Sequence, residues 1–128
     1  SVIPTLCYRA IKGLPLVVNG DGQQCRDFIY IEDIVRAFMI AGFESVIGSR
    51  EIFNVSSGRM DSLQQIVKQI GKLHKNTKIE FLTNEKNSET SYCCDFSKFS
   101  EKYGWRPRVS LSKGIEHTIS YFRGRKKI

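Results

Sequence analysis

Apolar positions along the chain fall into short blocks whose period alternates between that of a helix and that of a strand. Leu6, Ala10 and Ile11, with Arg9 and Lys12 interspersed, follow Pro4 and precede Gly13. Proline is tolerated in a first turn and glycine stops a helix, so this block predicts a short helix ending at Gly13. Residues 14–18 form an apolar strand with Pro15 near its start, and residues 19–22 form a Gly-rich loop. Residues 27–31 alternate as a second strand. Residues 34–43 carry apolar side chains on nearly every side of a helix, which therefore cannot face much water.

A third strand is predicted over residues 51–55, closed by Ser56, Ser57 and Gly58. Ser62 and Gln65 have the spacing of a capping box, opening a helix over residues 63–73 with Leu63, Ile66, Val67 and Ile70 on one face. Residues 78–82 read as a fourth strand, followed by a polar loop over 83–90 and a short extended piece at 92–94. Asp95 caps a helix running to about Tyr103, where Gly104 and then Pro107 end it. Ser110 opens a last amphipathic helix to about Phe122, with Ile115, Ile119 and Phe122 inward. Strands alternating with helices predict an α/β or α+β fold.

Composition narrows the class. The 128 residues, 41% of them hydrophobic, suit one modest core and exclude a two-domain oxidoreductase with its own dinucleotide fold. No apolar run approaches the roughly 20 residues that cross a bilayer, and no signal-peptide pattern opens the chain, so a soluble cytoplasmic protein is expected. Cys7, Cys25, Cys93 and Cys94 lack metal-ligand spacing and suit a reducing compartment as buried, inert thiols. Of the formal net charge of +7, Arg123, Arg125, Lys126 and Lys127 crowd the end. The expected organisation is therefore a lobe over residues 1–122 and a solvated basic tail over 123–128.

Three stretches carry a resemblance: GLPLVVNGDGQQCRDFIYIED at residues 13–33, IFNVSSG at 52–58, and DFSK at 95–98 leading to GWRP at 104–107 and LSKGI at 111–115. In this order and spacing they resemble the C-terminal portion of the extended short-chain dehydrogenases that act as nucleotide-sugar epimerases and dehydratases. The resemblance implies the C-terminal, substrate-binding lobe of an extended Rossmann-type fold, without the N-terminal dinucleotide-binding part. It implies a nucleotide-diphosphate sugar as ligand, and NAD or NADP held by the domain that this chain lacks. By the same resemblance Arg26 contacts the diphosphate, Asn54 is a second polar contact, and Val17 and Asn19 lie along the base, Val17 through its backbone. Family members often place an arginine shortly before the stretch matched by residues 92–95. Here residues 84–89 read NEKNSE, leaving Lys86 as the cation available to replace it.

Arg26 also fits the role on chemical grounds, because a guanidinium offers a rigid fork of donors matched to phosphate oxygens. The competing structural role is a strand-end ion pair with Asp27 or Glu32. No catalytic residue and no metal ligand is expected. Tyr8 and Lys12 match the Tyr-x-x-x-Lys spacing of the family's proton-handling pair, yet they sit immediately before the Gly-rich loop rather than well upstream of it, and packing explains them better. Gly20 and Gly22 are too close together, and follow the wrong element, for a cofactor turn. Two other classes compete with the enzyme lobe. One is a small basic module using Arg106, Arg108 and the tail against nucleic-acid phosphates, which lacks any specific reader. The other is a non-catalytic remnant that dimerises through its helices, and a homodimer is compatible with the lobe as well.

Overall fold

Helix α1 spans Val2–Ile11 in the computed structural model, which describes residues 1–44, 50–75, 77–82 and 91–124. Beyond its end Leu14 N–H donates to the Arg9 carbonyl, and Arg9 Nε reaches over to the Pro15 carbonyl at 2.6 Å, turning the chain into strand β1, Leu16–Asn19. Strand β2 is only Cys25–Arg26. Helix α2, Ile31–Glu44, begins as the Asp33 and Ile34 N–H groups bond back to the Tyr30 carbonyl. The strand expected over residues 27–31 is thus replaced by a turn into the helix.

Strand β3, Asp61–Ser62, runs antiparallel to β2, and helix α3, Leu63–Leu73, starts from it. The capping box is present: Gln65 N–H donates to Ser62 Oγ at 3.2 Å, and Ser62 N–H donates to Gln65 Oε1 at 2.7 Å. Strand β4, Ile79–Leu82, lies parallel to β1 with Leu16 opposite Ile79. Helix α4, Ser97–Tyr103, begins over Asp95, whose carboxylate accepts from Ser97 N–H, and ends at Gly104 in the left-handed region (φ 64°) that glycine favours. Helix α5 is Leu111–Gly124, two residues longer than the apolar pattern indicated.

Two apolar cores result. Leu6, Cys7 and Ala10 of α1 meet Leu16 and Val18 of β1, Ile66, Val67 and Ile70 of α3, and Ile115 and Ile119 of α5. The second core is aromatic, with Phe99 and Trp105 buried against Ala37 and flanked by Phe53, Phe96 and Tyr103. Residues 51–55 join no strand among the described residues. Their alternation survives as packing, with Phe53 and Val55 against the aromatic core while Ile52 and Asn54 are exposed.

Helix α2 departs furthest from expectation. Only Asp33 and Ala37 are buried, and Ile31, Val35, Phe38, Met39 and Phe43 form an open apolar stripe, with Phe38 75% and Phe43 84% exposed. Within this chain the helix does face water; a continuous apolar face of this kind marks an interaction surface. No helix among the described residues is long and apolar enough to cross a membrane.

Candidate functional site

The loop between β1 and β2 doubles back on itself. Gln23 N–H donates to the Asp21 carboxylate at 2.9 Å, and Gln24 Nε2 reaches the Asn19 carbonyl at 3.4 Å. These bonds link the end of β1, where Val17 is half-buried and Asn19 exposed, to the start of β2. Arg26 lies opposite Asp61 of β3 on one side and bridges Tyr92 on the other. Its guanidinium carbon stands 5.5 Å from the centre of the exposed Tyr92 ring, and Nη1 donates to the Cys25 carbonyl at 2.8 Å. An aromatic face under a guanidinium restricts the orientation of the fork.

Asp27 fastens the surrounding segments together. Its carboxylate accepts from Ser57 N–H at 2.8 Å, Ser57 Oγ at 2.6 Å, Gly58 N–H at 3.2 Å and Cys93 Sγ at 3.2 Å. Burial raises the proton affinity of Asp27, but the bonds from Ser57, Cys93 and Gly58 outweigh it and leave the carboxyl below its ordinary range. Gly58 has little room for another residue: its φ is 69°, and an added Cβ would meet a ring carbon of Phe96 at 2.7 Å. Ser56 Oγ donates to the Cys94 carbonyl at 2.7 Å, a second tie between the same two segments. Asn54, exposed, lies three positions before Ser57, so Asp27 links its segment to Arg26 and Tyr92. Lys86 lies outside the described residues.

Both Asp27 oxygens are engaged by Ser57, Gly58 and Cys93. Tyr92 was missed in the sequence because a lone aromatic in a polar stretch has no periodicity to mark it; only the bridge to Arg26 reveals it. Asp33 was missed as well. It is buried, its carboxylate accepts from Arg108 and Val109 N–H and from Arg36 Nη2, and its carbonyl accepts from Trp105 Nε1.

Other candidates resolve into structure. Lys12 Nζ sits 5.6 Å from the Tyr8 ring centre, and that ring packs edge-on against Phe122. Of the cysteines Cys7 alone is buried, its thiol pushed up to about 11 by burial. Cys93 and Cys94 are exposed, correcting the expectation of uniformly buried thiols. No cluster of three or more His, Cys, Asp or Glu suited to a metal occurs among the described residues. The residues around Gly20 and Gly22 do not fit a dinucleotide cofactor, because the turn leads into β2 and not onto a helix N-terminus. A recess of about 260 Å³ opens between the start of α1, residues 28–31 and the first turns of α5; Val17, Asn19, Arg26 and Asn54 do not line it.

Residues 1–118 match the family described as GDP-mannose 4,6 dehydratase. The chain is 31% identical over 128 residues to the low-salt glycan biosynthesis protein Agl12 of Haloferax volcanii, covering 97% of this chain and 40% of that protein. Its fold is similar to UDP-glucose 4-epimerase of Thermotoga maritima, solved with UDP-glucose (TM-score 0.83, 31% identity, 96% of this chain and 39% of that one). It is equally similar to UDP-glucuronic acid 4-epimerase of Bacillus cereus, solved with UDP-glucuronic acid and NAD (TM-score 0.84, 28% identity, 96% and 40%). The chain thus spans about two fifths of the length of these relatives, corresponding to their C-terminal part.

Proposed function

Because the chain belongs to the GDP-mannose 4,6 dehydratase family, we propose that it is the part of a nucleotide-sugar epimerase or dehydratase that grips the nucleotide diphosphate of the substrate. Arg26 is the main phosphate donor, Asn54 a second polar contact, and Val17 and Asn19 flank the base; Lys86 supplies the further cation. The observation that carries this reading is the placement of Arg26 over Tyr92, between segments fastened by Asp27. A fork held in this way loses little conformational freedom on closing around phosphate oxygens.

In this reading the nicotinamide cofactor and the proton-transferring residues belong to a dinucleotide-binding domain elsewhere in the same polypeptide, and the lobe alone is inactive. The open stripe of Ile31, Val35, Phe38, Met39 and Phe43 supports the existence of such a covering domain. The test is the size of the native polypeptide in its source cells, detected on a denaturing gel with an antibody raised against residues 98–108. A species much larger than 14.7 kDa is expected. A native band at that size contradicts the enzyme reading and leaves a stand-alone binding or assembling protein.

A further inference from the structure

Helices α1, α3 and α5 end together. The Tyr8 ring, in the last turn of α1, packs edge-on against Phe122 near the end of α5, with ring centres 5.8 Å apart. Helix α3 leads through Thr77, whose hydroxyl donates to the His74 carbonyl, to the start of β4, where the Lys78 carbonyl accepts from Leu16 N–H just past α1. This end of the lobe is basic. Lys12, Lys72, Lys75, Lys78 and Arg123 are all exposed there, and the sequence runs on from Arg123 into Arg125, Lys126 and Lys127. Helices α1 and α3 contain no acidic residue, and Glu116 of α5 pairs with Lys113. Among the described residues none of the five exposed cations forms an ion pair, and the first acidic residue after Lys78 is Glu80, further along β4 and opposite Val17.

Helix C-termini favour cations, but each dipole amounts to only about half a negative charge. Arg9, Lys72 and Arg123 in the last turns already exceed that, and Lys12, Lys75 and Lys78 lie beyond the helices. Such an excess repels itself, and an anionic partner relieves it. Apolar side chains stand among the cations, since Leu14, Leu73 and Tyr121 are exposed at the same end. Leucines flanked by lysines suit the headgroup boundary of a bilayer, where alkyl groups enter and cations stay with the lipid phosphates. Single-stranded nucleic acid needs an open ring face for base stacking. The Tyr8 ring already carries Lys12 Nζ at 5.6 Å and Phe122 at its edge.

We propose that the shared end of α1, α3 and α5 rests on an anionic lipid surface as a peripheral contact. Arg26 follows the opposite end of β1, and Ile31, where the apolar stripe of α2 begins, lines the recess at the starts of α1 and α5. Substrate and a covering domain therefore engage other parts of the lobe. The test is cosedimentation of the intact polypeptide with sucrose-loaded vesicles, either of pure phosphatidylcholine or of phosphatidylcholine mixed with phosphatidylserine. Binding is expected to the mixed vesicles alone and falls as salt rises. Combining Lys12→Gln, Lys72→Gln and Lys75→Gln is expected to lower partitioning roughly hundredfold, and Leu14→Ser with Leu73→Ser roughly tenfold. Lys113→Gln, at the other end of α5, leaves it unchanged. Equal binding to both kinds of vesicle, binding to neither, or a loss per charge at Lys113 equal to that at the three lysines overturns the proposal. If polyuridylate binds and the mixed vesicles do not, with the triple variant losing the RNA, the end belongs to nucleic acid instead.

Discussion

Arg26→Ala is expected to weaken UDP binding about thirtyfold, equivalent to about 2 kcal/mol for one charge-assisted contact. The loss is specific to the fork. Arg26→Lys keeps the charge but offers a point donor in place of parallel N–H groups, so it recovers only part of the affinity. Because Arg26 is half-buried at the end of a two-residue strand and lies against an exposed ring, its removal should leave the aromatic core and Asp27's ties intact. Titration calorimetry together with a denaturation midpoint separates the two effects. A change in affinity below about threefold, with unchanged stability, would remove Arg26 from the site.

Asp33→Ala is expected to destabilise the fold by about 3 kcal/mol or more, read from chemical denaturation. Its carboxylate accepts both the Arg108 and Val109 N–H groups at about 3.0 Å and pairs with Arg36 Nη2 at 2.5 Å. Arg36 also donates to the Arg106 carbonyl at 2.6 Å, so one acidic residue fixes the path of the chain between α4 and α5. Truncation strands two backbone donors and one guanidinium together, which is why the loss exceeds that of a single hydrogen bond. Asparagine retains an acceptor and should lose less. A loss under about 1 kcal/mol for alanine would show that water replaces the carboxylate freely.

The helices were legible because each carries its own punctuation. Ser62 and Gln65 set the start of α3, Gly104 the end of α4, and the spacing of Ile115, Ile119 and Phe122 the inner face of α5. Of the strands, the runs read over 14–18 and 78–82 match β1 and β4 to within a residue or two, but the other two runs form no ladder among the described residues. Alternation over residues 51–55 reports which side chains face a core, whereas a ladder also needs a neighbouring strand, and the sequence pattern carries no record of one. Arg26 was found through its motif and its donor geometry. Tyr92 and Asp33 depend on contacts between segments separated by tens of residues, which spacing along one chain does not encode. The apolar face of α2 was visible in the sequence, and the structure adds that nothing among the described residues covers it.

The most direct test of the diphosphate-binding account is a residue-resolved NMR titration of the protein with UDP. The account predicts saturable shifts centred on Val17, Asn19, Arg26, Asn54 and Tyr92. Shifts confined to the recess beside Phe28 and Leu111, or shifts absent at millimolar UDP, would contradict it.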